Sequence, residues 1–172
     1  MTTVALLGST GSIGTQAIEV IEAEPDNFEI IALGANSSVS QLAEQAHRVR
    51  PSVVALADAD RAGELKELLP PGVELLAGRD ALAEAAVRAD VAVNGVVGFA
   101  GLPVTLAVLA AGGRLALANK ESLIAAGPVV APLRDSPGAE LVPVDSEHCA
   151  IHMCLRAGEG DRQLREVVLT AS

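Results

Sequence analysis

The stretch VALLGSTGSIGTQAIEV, Val4 to Val20, begins three residues into the chain and decides its fold. An apolar run, Val4–Leu7, leads into Gly8, Gly11 and Gly14 at an even spacing of three, and a helix-patterned segment, IGTQAIEVIEAE, follows. A helix N-terminus exposes unpaired amides and a partial positive charge, and glycine lets that backbone approach a pyrophosphate. Thr10, Gly11, Ser12 and Ile13 would supply amides and hydroxyls, while Gly14 allows the helix to pack tightly on the strand. The spacing differs from the G-x-G-x-x-G fingerprint, so an ordinary tight turn into a helix is the competing reading. The strand before the loop and the amphipathic helix after it favour a dinucleotide cradle.

The same strand-then-helix pattern fills the chain. Strands are expected at Val4–Leu7, Phe28–Leu33, Val53–Ala57, Val73–Leu76, Val91–Asn94, Arg114–Ala118, Glu140–Pro143 and Glu166–Thr170. Between them lie VSQLAEQAHRVR, AGELKELL, ALAEAAVRA, LPVTLAVLAAG and EHCAIHMCLRAG, all patterned as helices. The strands are continuous apolar runs rather than alternating ones, which implies a parallel sheet covered on both faces. The expected fold class is α/β, a doubly wound, Rossmann-like parallel sheet followed by the start of a second α/β domain. Turn residues Asp135, Ser136, Pro137 and Gly138 place the division between residues 1–138 and 139–172. REVVLTAS breaks off on a strand-like run, so a fragment of a longer protein is expected, with a natural C-terminal edge strand as the alternative.

Composition narrows the partners. Of 172 residues half are apolar, so a sizeable core is easily built, and only two are aromatic. A net charge of −10 and the lack of stacking platforms argue against nucleic acid and anionic membrane, so an anionic ligand must bind through local amides and a few placed cations. The N-terminus has no basic region of a signal peptide, and no window approaches the roughly 18 apolar residues of a membrane span. Cys149 and Cys154 fit no zinc or redox motif and read as reduced thiols, consistent with the cytoplasm.

The polar strand ends carry the chemistry. The second strand ends in GANSSVS, without the acid that binds the ribose 2′-hydroxyl of NAD. Asn36, Ser37 and Ser38 could donate hydrogen bonds to a 2′-phosphate, favouring NADP, or could cap the helix that begins near Val39. Asn94, Gly95, Gly98 and Gly101 follow another strand, either to let backbone pass close to a cofactor or to turn the chain. A later strand ends in Asn119, Lys120 and Glu121, at the edge where doubly wound folds bind ligands. There Lys120 can bind a substrate hydroxyl or polarise a carbonyl, or form a solvated pair with Glu121. Asp145 and Glu147, two apart with Ser146 between, leave one face of an extended segment and repel unless a cation joins them. Oxygen ligation of this kind suits Mg²⁺ or Mn²⁺. His148 and His152 share a helix face at a spacing compatible with metal binding, whereas Asp145 and Ser146 could simply cap that helix.

Together LLGSTGSIG, LANKESL and PVDSEH resemble the 1-deoxy-D-xylulose 5-phosphate reductoisomerases, in order along the whole chain. The resemblance implies an NADPH- and divalent-metal-dependent oxidoreductase that makes 2-C-methyl-D-erythritol 4-phosphate in non-mevalonate isoprenoid synthesis. It implies that Gly8, Thr10, Gly11, Ser12, Ile13 and Gly14 hold NADPH, with Asn36, Ser37, Asn119 and Glu121. Lys120 and Ser146 would contact the sugar phosphate, Asp145 and Glu147 would bind Mn²⁺ or Mg²⁺, and Lys120 and His148 would be the catalytic pair. A homodimer is expected for a full-length form.

Two departures qualify the resemblance. Many members carry Gly-Lys-Asn where this chain has Asn36-Ser37-Ser38. In the family the strand like VVLTAS also continues into a GGPF-type loop, a further metal carboxylate and a helical domain, none of which this sequence contains. The chain alone is therefore expected to bind NADP(H) and not to turn over substrate. Competing readings are another NADP-linked dehydrogenase, similar to homoserine dehydrogenase, and a non-catalytic nucleotide-binding module.

Overall fold

The computed structural model describes residues 1–157 together with residues 166 and 168. Seven strands, β1 (Thr2–Leu7), β2 (Phe28–Ala35), β3 (Val53–Leu56), β4 (Glu74–Ala77), β5 (Val91–Asn94), β6 (Arg114–Leu117) and β7 (Glu140–Pro143), form the described sheet. They alternate with α1 (Ser12–Glu22), α2 (Val39–Val49), α3 (Ala62–Leu68), α4 (Ala81–Ala86), α5 (Leu102–Ala110), α6 (Lys120–Val130) and α7 (Ser146–Ala157). Every pairing is parallel, in the order β4-β3-β2-β1-β5-β6-β7. The chain winds outward from β1 to β4, crosses back to β5, and winds outward again, which is the doubly wound topology expected.

Central strands bury both faces, so their sequences cannot alternate. Ala5 and Leu7 enter one core with Leu82, Leu109 and Leu115, under the helices α4, α5 and α6. Leu6 and Leu33 enter the other with Ile18, Leu42 and Leu65, under α1, α2 and α3. Each fully buried leucine contributes about 2 kcal/mol of transfer free energy. The layer of α1, α2 and α3 stops short of β5, where Val91 and Val93 line an apolar groove of about 400 Å³ with Val4, Ile13 and Val20.

Strand limits differ from expectation where packing overrides a turn signal. β2 runs on through Gly34 to Ala35, because the residue over Leu7 must be small. A Cβ at Gly34 would lie 2.7 Å from both Leu7 Cδ1 and Leu82 Cδ2. β7 pairs with β6 in register Arg114↔Glu140 to Leu117↔Pro143, so one sheet runs across the expected division at residue 138. In α6, Pro128 cannot donate a backbone hydrogen bond, and the helix breaks at Ala126 (φ −118°, ψ 20°). Cys149 and Cys154 are free thiols on α7. The strand expected at Glu166–Thr170 lies outside the described residues.

Beside β5, Asp90 clasps the start of β1. The Thr3 N–H and hydroxyl donate to its carboxylate at 2.9 and 2.8 Å, and the Asp90 N–H donates to Thr3 Oγ1 at 2.9 Å. Those donors, the backbone N–H foremost, hold the Asp90 carboxyl below its ordinary value. Its contribution to stability is therefore complete above a pH of about 4 and is lost as the pH falls through the lowered value. Urea midpoints of Asp90→Asn and the unsubstituted chain should differ at pH 7, and the gap should narrow progressively as the pH is lowered below about 4. A constant gap would show that the carboxylate charge is not the cause.

Glycine substitutions should separate by sign. At Gly14 a Cβ would fall 2.4 Å from the Gly8 carbonyl oxygen and 2.5 Å from Ser9 Cα, whereas at Gly63 in α3 nothing lies within 4 Å. Urea denaturation should find Gly14→Ala destabilised by about 3 kcal/mol and Gly63→Ala stabilised by about 0.5 kcal/mol.

Candidate functional site

Sheet order reverses at β1, whose neighbours β2 and β5 lead to opposite edges. Ligands of doubly wound sheets bind at the carboxyl ends of the strands flanking such a point. Three backbones converge there. The Gly8 and Ser9 N–H groups donate to the Gly34 carbonyl at 2.8 and 2.9 Å, and the Gly95 N–H donates to the Leu7 carbonyl at 2.8 Å. Gly8 has φ +84°, and a Cβ on it would meet the Gly95 carbonyl carbon and oxygen at 2.6 Å, so this turn needs glycine.

The turn delivers the chain to the N-terminus of α1, with Gly11 at the cap position. No side chain caps that end and no acid stands in the first turn. The Gly11 N–H is committed to the Gly8 carbonyl at 3.0 Å, so the free donors are the amides of the helix's own first residues, Ser12 and Ile13. Gln45, on α2 and almost fully buried, donates Nε2 to the Ser9 carbonyl at 2.8 Å and ties the loop to the next helix. The Ser9 hydroxyl and Gln45 Oε1 are buried without protein partners.

At the end of β2, Asn36 and Ser38 are exposed and Ser37 is half-buried. Ser38 occupies the cap position of α2, yet no side-chain cap bond forms, so these polar groups are uncommitted to the helix. Arg61, from the single 3₁₀ turn Ala59–Arg61 after β3, donates Nη1 to the Ser37 carbonyl at 2.5 Å. Its Nε and Nη2 grip the Glu64 carboxylate at 2.9 to 3.0 Å.

Two buried asparagines shape the loop between β5 and α5. Asn94 donates to the Gly101 carbonyl at 2.8 Å and to Thr105 Oγ1 at 3.0 Å, and accepts the Val96 N–H at 3.2 Å. Asn119 donates to the Val96 carbonyl and, at 2.7 Å, to that of Gly98, and its Oδ1 accepts the Ser122 N–H at 2.9 Å. The Asn119 side chain is thus turned inward as a brace and cap of α6. Burial explains this, since an amide removed from water must pair within the protein. Lys120 and Glu121 are exposed in the first turn of α6 and make no ion pair with each other.

α7 begins at Ser146. Asp145 accepts the His148 N–H weakly at 3.4 Å and also pairs with His148 Nδ1, so it serves the helix and the histidine together. Glu147 is exposed. Its own N–H and the Ser146 hydroxyl hold its carboxyl below the ordinary value, Lys120 adds to this, and Asp145 opposes it. Lys120, Asp145, His148 and His152 line a cleft of about 380 Å³ between α6 and α7, floored by Leu117, Leu123 and Ile151. Two carboxylates suit a hard divalent cation, but among the described residues no group of three His, Cys, Asp or Glu side chains surrounds one point.

The expected site residues thus lie at one edge of the sheet, at or just beyond the ends of β1, β2, β5, β6 and β7. Gln45 and Arg61 were not singled out from the sequence, whereas Asn94 was, at the end of its strand. Neither Gln45 nor Arg61 carries a local sequence signal, since their partners lie 36 and 24 residues away.

Residues 4–127 match the family model described as 1-deoxy-D-xylulose 5-phosphate reductoisomerase. The enzyme of that name from Crocosphaera subtropica is 46% identical over 177 aligned residues, covering 100% of this chain and 44% of the relative. The Zymomonas mobilis reductoisomerase solved with NADPH is 44% identical with a TM-score of 0.85, over 89% of this chain and 41% of that one. A reductoisomerase solved with NADPH, fosmidomycin and magnesium is 37% identical with a TM-score of 0.85, over 90% and 39%. This chain spans under half the length of these relatives. On the family-model match over residues 4–127 and the identity to the named relatives along the whole chain, it belongs to the 1-deoxy-D-xylulose 5-phosphate reductoisomerase family.

Proposed function

We propose that this chain is the NADPH-binding portion and the start of the metal- and substrate-binding portion of a 1-deoxy-D-xylulose 5-phosphate reductoisomerase. The observation that carries this is the uncapped N-terminus of α1, held under the Gly8 turn where the sheet order reverses. Free amides at a helix N-terminus favour a pyrophosphate, and the missing Cβ atoms of Gly8 and Gly14 keep the turn close to the helix. The relatives solved with NADPH and magnesium support the same ligands here.

In the complete polypeptide the reaction is the rearrangement and reduction of 1-deoxy-D-xylulose 5-phosphate to 2-C-methyl-D-erythritol 4-phosphate. Bound metal supplies Lewis acidity at neighbouring substrate oxygens, and NADPH supplies the hydride. Within this chain, Asp145 and Glu147 hold the cation, Lys120 and Ser146 hold polar groups of the sugar phosphate, and His148 fixes the Asp145 carboxylate. Gly8 to Gly14, Asn36, Ser37 and Glu121 surround the nucleotide, and Asn119 sets the loop beside it. Residues 1–138 serve the nucleotide and 139–172 open the catalytic part. The isolated chain binds NADP(H) through the α1 N-terminus.

Titration of the chain into NADPH, followed by nucleotide fluorescence, should show saturable one-to-one binding, and no binding would refute the nucleotide reading. In the full-length polypeptide, Asp145→Ala and Glu147→Ala should each lower NADPH-dependent turnover by about a hundredfold or more while NADPH binding persists. Undiminished turnover in both variants would remove the metal assignment.

A further inference from the structure

We propose that Arg61 is the residue that makes this chain select NADPH over NADH, an inference that rests on the nucleotide reading above. Doubly wound folds read the ribose 2′ position at the end of β2, with an acid for a hydroxyl or a nearby arginine for a phosphate. Here that end is Asn36-Ser37-Ser38, without an ionisable side chain. The cation reaching it comes from beyond β3, since Arg61 Nη1 donates to the Ser37 carbonyl at 2.5 Å. This contact pins the guanidinium against the strand end.

The side chain has capacity left for a ligand. A guanidinium carries five N–H donors in a planar fork that matches two oxygens of a phosphate. Arg61 gives Nη1 to one protein acceptor and turns Nε and Nη2 to Glu64. It is 41% exposed, and so is open to solvent as well as to the strand end. Glu64 holds the fork in place while leaving an Nη1 proton uncommitted among the described residues. The surroundings raise the stake. Asp58 and Asp60 stand in the same turn, where the Asp60 N–H donates to Asp58 Oδ1 at 3.2 Å. The Asp58 N–H donates to the Asn36 carbonyl at 2.9 Å, so this acidic turn abuts the end of β2, and Arg61 is the cation it brings to Ser37. NADH carries no 2′-phosphate and gains nothing from this cation.

The test titrates NADPH and NADH separately into the unsubstituted chain, Arg61→Ala and Arg61→Lys at one fixed salt concentration. Arg61→Ala should weaken NADPH binding by about ten- to a hundredfold, the range of a charge-assisted contact, and leave NADH within about twofold. Arg61→Lys keeps the charge without the fork and should recover part of the preference. Parallel weakening for both nucleotides would reduce Arg61 to a structural brace and overturn the proposal, as would an unchanged NADPH-to-NADH ratio in Arg61→Ala. Equal binding of the two by the unsubstituted chain would overturn it as well. Failure of that chain to bind either nucleotide is a different result, refuting the cradle and Arg61's role with it.

Discussion

Everything at the working edge depends on a close approach of three backbone segments, at Gly8, Gly34 and Gly95. Parallel strands lie about 4.8 Å apart, and side chains normally set the distance at which the loops beyond them can meet. At the centre of this sheet those side chains are absent. The Gly34 carbonyl accepts two N–H groups from the turn after β1, and the Gly95 amide pairs with the Leu7 carbonyl. Gly14 then lets α1 lie directly on the turn, with the Gly8 carbonyl where a Cβ would otherwise be. The first amides of α1 are consequently aimed by rigid backbone, not by a mobile loop. A methyl group at Gly8 or Gly14 would move the helix end that they position.

Buried amides extend that rigidity along the edge. Asn94 and Asn119 each satisfy both ends of the side chain within the protein, and both hold the loop that carries Val96, Gly98 and Gly101. A fully paired buried amide specifies one loop conformation, because any other leaves a polar group unpaired at a cost of about 1–3 kcal/mol. Gln45 ties the Ser9 carbonyl to α2 through its Nε2 alone. Loops at this edge are therefore fastened from behind, while their outward groups, Ser12, Asn36, Lys120 and Glu147, are exposed.

The parallel sheet was legible in the sequence because a strand buried on both faces must be apolar at consecutive positions, as Val53–Leu56 is. The edge residues were legible for a related reason. Polar runs such as Asn119-Lys120-Glu121 and Asp145-Ser146-Glu147 interrupt apolar segments only where a strand has ended. Illegible features came from contacts distant in sequence. Gly34 read as a stop after Leu33, although Leu7 and Leu82 require it inside the strand. The bracing by Asn119 was equally hidden, because its side-chain amide donates to carbonyls 21 and 23 residues earlier. Arg61 resembled any surface arginine paired with a glutamate three residues on, and only its reach across 24 residues to Ser37 gives it a place at the edge.

Net charge and ligand charge also fit together through distance. A chain of net charge −10 repels a polyanionic nucleotide as a whole, yet salt at physiological strength screens exposed charges beyond about 8 Å. Donors within hydrogen-bonding reach escape that screening. The acids of this chain are kept off the first turn of α1, where an aspartate or glutamate would cap the helix and fill the anion's place. Asp145 and Glu147 stand instead at the start of α7, where Asp145 shares a cleft with Lys120. Placement of a few charges at strand ends, set by which strand each one follows, thus sorts anion from cation along one edge of an otherwise acidic protein.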